Sequence, residues 1–148
     1  MDTSVEDAIP FFHPCTILLQ GQSGCGKTEF AVRLLKEKLI QPFPKRIIWQ
    51  YTEMQPAYET LKHLMGDNIV FTKTFDQQTY NSIRPKETNL LVLDDQMLEG
   101  INNKLVTTLF VQGSHHRNLT VIFMMQNMFH KGSQTRTITL NAKYVVRN

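Results

Sequence analysis

A glycine-rich segment near the amino terminus constrains the fold of this chain more than any other part of the sequence. The segment matches the pattern GxxxxGK[ST], and its members are Gly21, Gln22, Ser23, Gly24, Cys25, Gly26, Lys27 and Thr28. It follows a short apolar run, 16–20, and leads into a stretch, 27–39, whose apolar residues recur at helical spacing. A strand, this pattern and then a helix are the context in which such a segment forms a phosphate-binding loop.

The residue types in this segment fit the binding of phosphate. Glycines let the backbone curl around an anion and aim successive N–H groups and the helix N-terminus at it. Lys27 adds a mobile positive charge for the β and γ oxygens of a nucleotide, and the Thr28 hydroxyl is a ligand suited to Mg²⁺. A glycine-rich turn that binds nothing would need neither side chain. We therefore expect all eight residues to form a nucleotide site.

Further apolar runs alternate with helical patterns along the chain. Predicted strands cover 46–51, 69–71, 90–93, 121–125 and 144–146. Predicted helices cover 56–65 and a segment that contains Leu105, Val106, Leu109 and Phe110 and ends near Gly113. Buried strands that alternate with helices form parallel βαβ units, with helices on both faces of the sheet. We expect an α/β fold in which residues 1–148 make a single domain.

Acidic and amide side chains follow two of the predicted strands. Asp94 and Asp95 come directly after 90–93, and Gln126 comes directly after 121–125. Because ligands of open parallel sheets bind beyond the carboxyl ends of the strands, we expect these side chains to reach the nucleotide. Asp94 is predicted to hold the water shell of Mg²⁺, Asp95 to orient or deprotonate the attacking water, and Gln126 to bond the γ-phosphate or that water. An Asp-Asp pair that caps a helix or faces solvent is the alternative.

Composition and charge exclude several classes of protein. Of 148 residues, 41% are hydrophobic and 20% charged, which is typical of a globular chain rather than a disordered one. No segment approaches the roughly 18 consecutive apolar residues of a membrane span, and the acidic start, 1–7, is opposite to a signal peptide. With Cys15 and Cys25 as the two cysteines, we expect a soluble intracellular protein with reduced thiols. The net charge of +3 permits contact with nucleic acid without requiring it.

The phosphate loop, the pair Asp94-Asp95 and two later segments together resemble the FtsK and HerA superfamily. The two segments are 113–118, with the sequence Gly-Ser-His-His-Arg-Asn, and 121–127, with the sequence Val-Ile-Phe-Met-Met-Gln-Asn. The stretch 114–141 is most similar to the genome-packaging ATPases of poxviruses, of related large DNA viruses and of Polinton transposons. The resemblance covers nearly the whole chain.

This resemblance implies a RecA-like P-loop NTPase sheet of order 5-1-4-3-2 and assembly into a homo-oligomeric ring. It also implies ATP-driven translocation of double-stranded DNA into a capsid, with a capsid or portal component as a partner. In the same family, a residue that matches Gln126 senses nucleotide, and one that matches Arg117 acts across the subunit interface. Gly113 and the polar residues after it place Arg117 at the amino end of the strand 121–125, opposite Gln126. The expected location is the host cytoplasm, within a virus factory, or the nucleus, with association with the virion.

Two features depart from the pattern of the superfamily. The superfamily often has glutamate after the metal-binding aspartate, whereas this chain has the shorter Asp95, which the viral branch tolerates. Family members usually continue beyond the last core strand, whereas this sequence ends at Asn148. We therefore expect truncation at the carboxyl terminus as one possibility, and a truncated nucleotide-binding interaction module without turnover is an alternative to a motor.

Other interpretations have less support from the residues. A small P-loop kinase shares the first motif, but the sequence shows neither an arginine-rich lid segment nor an obvious acceptor pocket. A GTPase needs Asn-Lys-x-Asp, and 103–106 lacks the final aspartate, so ATP is favoured. His115, His116 and His130 lack the cysteine or carboxylate neighbours of a metal site. Basic residues without acidic neighbours near the carboxyl terminus are predicted to contact DNA or to form a solvated face: Lys131, Arg136, Lys143 and Arg147.

Overall fold

Short strands and helices alternate along most of the chain. A computed structural model describes residues 10–21, 25–94, 105, 108–109, 117–125 and 142–147. The strands in these ranges are β1 (Phe11–Phe12), β2 (Thr16–Gln20), β3 (Ile40–Gln41), β4 (Arg46–Gln50), β5 (Ile69–Thr72), β6 (Asn89–Asp94), β7 (Leu119–Met125) and β8 (Tyr144–Arg147). The α-helices with defined bounds are α1 (Cys25–Lys36), α2 (Pro56–Met65) and α3 (Gln77–Asn81), and a short 3-10 helix covers Gly66–Asn68.

The six longer strands form one sheet in the order β5-β4-β6-β7-β2-β8, and every neighbouring pair is parallel. If β2, β4, β6, β7 and β8 are numbered 1 to 5 in chain order, the sheet from the β8 side has the predicted order 5-1-4-3-2. The prediction of a RecA-like α/β fold is therefore confirmed. β5 adds a sixth strand at the edge, beyond the five strands of that order.

Each face of the sheet has its own apolar core, because successive side chains of a strand point to opposite faces. On β2, Ile17 and Leu19 belong to one core and Leu18 belongs to the other. Helices α1 and α2 pack on the first core, whereas α3 and the helical residue Leu105 pack on the second. The predicted arrangement, with helices on both faces, is confirmed. It also explains why these strands read as continuous apolar runs.

Helix α1 ends earlier than its apolar spacing predicts. The spacing predicts a helix to Leu39, but the structure ends it at Lys36. Lys38 adopts a positive φ of 52°, and the N–H of Leu39 donates to the carbonyl of Leu34 at 2.9 Å. This bond satisfies a carbonyl at the helix end while the chain turns away. The apolar side chain of Leu39 therefore packs on the core from outside the helix.

The predicted strands of the main sheet agree with the structure to within two residues at each end. Helix α2 has the predicted bounds, and Gly66, with a φ of 59°, follows its last residue. In the predicted helix near 105–113, Leu105 and Leu109 are buried as expected. Val106, Phe110 and Gly113 lie outside the described residues.

Two small features have no clear signal in the sequence. Strands β1 and β3 pair in parallel through Phe11 and Ile40, and each has two residues, too few for a periodic pattern. Helix α3 has five residues, and the Asp76 side chain caps it by accepting from the N–H of Thr79 at 2.9 Å. In the described ranges, no helix is long and apolar enough to span a membrane.

Two leucines of α2 allow a matched test of this packing. Leu61 is 0% exposed and Leu64 is 54% exposed, although they lie one turn apart. We expect Leu61→Ala to lower the free energy of unfolding by about 2–5 kcal/mol, because it leaves a cavity in the core. Leu64→Ala removes the same atoms from the surface and should change it by less than about 0.5 kcal/mol. Urea unfolding followed by circular dichroism measures both, and equal losses would contradict the packing of α2.

Candidate functional site

The segment predicted to bind phosphate connects the carboxyl end of β2 to the amino end of α1. Because α1 begins at Cys25, residues 26–28 of the motif lie in its first turn, and 22–24 lie outside the described residues. The first turn carries no acidic side chain. The first N–H groups of a helix have no acceptor within the helix and carry the positive end of its dipole, and no carboxylate of this turn neutralises them. This helix end is suited to an anion.

Lys27 and Thr28 hold fixed positions at this helix end. The Lys27 ammonium reaches back to the start of the motif, where its Nζ donates to the carbonyl oxygen of Gly21 at 3.0 Å. The positive charge is thus held beside the first residue of the motif. Thr28 is only 9% exposed, so its side chain is largely withdrawn from bulk solvent. Their roles as phosphate and Mg²⁺ ligands remain predictions.

Gly21, the first residue of the loop, is hydrogen-bonded to Met125, the last residue of β7 and the one directly before Gln126. The N–H of Gly21 donates to the carbonyl of Met125 at 3.2 Å, and Gln20 and Met125 are paired in the register of β2 and β7. Gln126 lies outside the described residues, but it follows Met125 directly in the chain. Its predicted role at the nucleotide is therefore untested, although the residue before it contacts the loop.

Asp94 is the last residue of β6, so it lies at the carboxyl ends of the strands, as the phosphate loop does. Its Cα is paired with Met124 of β7, which lies between β6 and β2. Its Oδ2 accepts a hydrogen bond from the Thr52 hydroxyl at 3.0 Å, and its N–H donates to Oε1 of Gln50 at 3.0 Å. Asp95, the predicted base, lies outside the described residues. Neither Thr52 nor Gln50 belongs to a sequence motif that predicts a place in this site.

Tyr58 is a further residue that the sequence analysis missed. Its side chain is 1% exposed, and its ring stacks on Phe71 with centroids 4.9 Å apart. The pKa of Tyr58 is raised, mainly because burial disfavours the charged phenolate. The nearby Trp49 indole and Thr28 hydroxyl lower this pKa in part, and the negative charge of the Asp94 carboxylate raises it further. The phenol group therefore lies among groups of α1, β4 and β6. Its place in the first turn of a helix beyond the carboxyl end of β4 is the signal that could have identified it.

Arg117 lies at the opposite end of β7. The seven residues of β7 span roughly 20 Å at about 3.3 Å per residue, so Arg117 is too far from its own phosphate loop to contact it. Its guanidinium lies over the Tyr80 ring, 4.6 Å from the centroid, and donates to the carbonyl of Ile83 at 3.5 Å. These contacts attach the start of β7 to α3 in the same chain. A role of Arg117 across a subunit interface stays a prediction.

Other features do not add to this site. Within the described ranges, no group of three or more His, Cys, Asp or Glu side chains is placed to hold a metal ion, and the three histidines weighed above lie outside those ranges. A groove of about 760 Å³ lies at the other end of the sheet, and Lys36, Arg46, Leu64 and Val70 are among its lining residues. None of the predicted site residues lines this groove.

Solved structures show the same fold in other proteins. The chain is similar to the flagellar accessory protein FlaH from Methanocaldococcus jannaschii, with a TM-score of 0.62 and 14% identity over 97% of this chain and 74% of that one. It is also similar to the cytoplasmic domain of EssC, with a TM-score of 0.62 and 11% identity over 90% of this chain and 30% of that one. No protein-family model and no curated protein matches the sequence. At this identity the likeness establishes the fold, which is that of the P-loop NTPases.

The geometry of Lys27 gives a direct test of the phosphate loop. We expect Lys27→Ala to weaken the binding of a fluorescent ATP analogue by about 10-fold to 100-fold or more. The reason is that a charge-assisted hydrogen bond contributes about 1.5–3 kcal/mol. Lys36→Ala, in the last turn of the same helix, is the matched control and should bind like the parent. Circular dichroism checks that both variants fold. A folded Lys27→Ala variant that binds as tightly as the parent would refute the assignment of the loop.

Proposed function

We propose that this chain is a Mg²⁺-dependent ATPase motor domain that translocates double-stranded DNA, of the genome-packaging type that its sequence resembles. The observation that carries the proposal is that three neighbouring strands end side by side at the loop that leads into α1. β2 leads into the phosphate loop, β7 bonds to Gly21 through Met125, and β6 ends in Asp94. The P-loop NTPase fold supports a nucleotide as the ligand. DNA is proposed as the substrate of translocation because of the sequence resemblance.

The residues at the start of α1 fit ATP with Mg²⁺. Thr28 would supply a hydroxyl, an oxygen ligand of the kind this ion prefers, and the Asp94 carboxylate would hold the waters that the ion keeps. Mg²⁺ held there would neutralise charge on the β and γ oxygens. Lys27 would contact the same oxygens, and the first turn of α1 would bind the phosphate chain through its N–H groups.

Hydrolysis needs groups that position and deprotonate water. Asp95 would accept the proton of the attacking water, whose oxygen forms the new bond to the γ phosphorus while the bond to the departing ADP oxygen breaks. Gln126 would orient that water or bond the γ-phosphate. These residues directly follow Asp94 and Met125, which end neighbouring strands in close register. Both side chains are therefore proposed to act at the same edge of the sheet.

The movement of DNA rests on the sequence resemblance. The stretch 114–141 is similar to ATPases whose rings move double-stranded DNA into capsids, so we include a homo-oligomeric ring and a capsid or portal partner in the proposal. Of the basic residues near the carboxyl terminus, Lys143 is exposed directly before β8. Such a side chain can contact DNA phosphates without reading their sequence.

Steady-state phosphate release, with and without double-stranded DNA, tests the proposed function. We expect release from ATP that requires Mg²⁺ and increases when DNA is added. Tight binding of ATP with no release would instead favour a nucleotide-binding interaction module. Release that is unaffected by DNA, or transfer of phosphate to a small acceptor, would contradict the motor assignment.

The two neighbouring aspartates should separate binding from turnover. Asp94→Asn should weaken the Mg²⁺-dependent affinity for ATP, because it removes a charge from the ion's surroundings. Asp95→Asn should preserve binding and lower turnover by about 10²–10⁴-fold, the usual contribution of a general base. Binding of the fluorescent ATP analogue and phosphate release measure the two effects. Equal loss of binding in both variants, or normal turnover in Asp95→Asn, would show that the roles are wrongly assigned.

Arg117 is proposed to complete the active site of a neighbouring subunit. An arginine that acts in this way contributes about 10³–10⁵ in turnover, so Arg117→Ala should bind ATP normally and hydrolyse it poorly. Mixing Arg117→Ala with Lys27→Ala should restore part of the activity, because some interfaces then combine an intact loop with an intact arginine. Phosphate release of the mixture, compared with each variant alone, measures this recovery.

The contact of Arg117 with Tyr80 provides the control. Tyr80→Leu removes the ring under the guanidinium and keeps the arginine, so it should lower stability without removing turnover. If Arg117 serves only to attach β7 to α3, Tyr80→Leu and Arg117→Ala should have equal effects. Full turnover of Arg117→Ala, under conditions where the parent is oligomeric, would overturn the assignment and make Arg136, outside the described residues, the next candidate.

A further inference from the structure

Strands β4 and β6 separate at their carboxyl ends, next to the candidate site. The last pair in their register is Trp49 with Val92, although β6 continues to Asp94. The Gln50 side chain, which is 1% exposed, crosses the gap, and its Oε1 accepts from the N–H of Asp94 at 3.0 Å. A side-chain amide thus takes the place of a main-chain acceptor and holds the backbone of Asp94 where the strand pairing has stopped.

The other end of the Gln50 amide is also bonded. Its Nε2 donates to the carbonyl of Tyr51 at 3.1 Å and to that of Lys73, just beyond β5, at 3.4 Å. One buried side chain therefore joins the ends of β4, β5 and β6. Because a buried donor or acceptor without a partner is costly, this arrangement fixes the amide and, with it, the backbone of Asp94.

Thr52 adds a contact to the carboxylate itself. Its hydroxyl donates to Oδ2 of Asp94 at 3.0 Å. The terminal torsion of an aspartate is broad, so a fixed backbone does not by itself set the direction of the carboxylate. A carboxylate oxygen can accept more than one hydrogen bond, so the contact with Thr52 is compatible with a second contact to a metal-bound water.

We infer that Thr52 is a positioning residue that orients the Asp94 carboxylate toward Mg²⁺, with Gln50 holding the backbone beneath it. The inference rests on the proposed function, because it assigns Thr52 to the ion that accompanies ATP there. In this role Thr52 acts through Asp94, whose carboxylate it contacts, and not through a contact of its own with the nucleotide. Removing a hydrogen-bond partner of a metal-binding side chain typically lowers metal affinity by about 10-fold to 100-fold.

Variants at Thr52 test this inference through metal dependence rather than turnover. Binding of the fluorescent ATP analogue is titrated with Mg²⁺ and repeated in EDTA. We expect Thr52→Val, which keeps the shape and removes the hydroxyl, to raise the half-maximal Mg²⁺ concentration by about 10-fold to 100-fold and to leave the affinity in EDTA unchanged. Thr52→Ser should restore the midpoint of the parent. Thr60→Val, on the exposed face of α2, is the matched control and should behave like the parent.

The outcomes separate this inference from the function on which it rests. A parent that binds the analogue with Mg²⁺ dependence, while Thr52→Val keeps the parent's midpoint, overturns the inference alone. A Thr52→Ser variant as impaired as Thr52→Val also overturns it, because shape rather than the hydroxyl would then matter. A parent that binds no ATP analogue overturns the proposed function and the inference with it. If Thr52→Val does not fold, Thr52→Ala removes the same hydroxyl and gives the same readout.

Discussion

The parallel pairing of β2, β7 and β6 is the constraint on which the candidate site depends. Gln20 is paired with Met125, and Met124 is paired with Asp94, so the phosphate loop and the carboxylate leave the sheet at the same edge. All seven residues of β7 are buried, which fixes this register from both faces. A shift of one residue would exchange the two cores of the strand and move its end by about 3.3 Å. The apolar core therefore sets the distance between the groups proposed to share Mg²⁺.

Much of this arrangement was predictable because it follows from local patterns. Continuous apolar runs identify strands buried on both faces, and the carboxyl ends of parallel strands share one edge. Asp94 directly follows the run 90–93 and ends β6, as that rule predicts, whereas its role at Mg²⁺ stays a prediction. The phosphate loop is predicted from residue types that a simple turn does not require, and its binding of phosphate stays a prediction. These predictions need neighbours in sequence and no knowledge of distant contacts.

The parts that the sequence did not predict depend on contacts between distant residues. In the sequence, Gln50 and Thr52 are ordinary polar residues at the end of a predicted strand. Their hydrogen-bond partner Asp94 lies more than 40 positions away, so no local pattern connects them. The phenol group of Tyr58 lies near Thr28 and Asp94 only because α1, α2 and β6 meet there. No periodicity marks such residues, because each contributes a single hydroxyl or amide. The aromatic cluster around Tyr58 likewise joins β4, α2 and β5, and becomes visible only when the sheet order is known.

The contact between Arg117 and Tyr80 is compatible with the proposed role in a neighbouring subunit, as the magnitudes show. A cation over an aromatic ring is stabilised by about 0.5–2 kcal/mol, and the half-buried contact of Arg117 falls within that range. An arginine finger lowers the barrier by roughly 4–7 kcal/mol, because it meets charge that develops on the transferred phosphoryl group. If Arg117 acts as such a finger, the free energy it loses on leaving the Tyr80 ring is smaller than the free energy by which it stabilises the transition state. The ring holds the half-buried guanidinium in the monomer, and a nucleotide brought to this end of β7 by another subunit would compete for it.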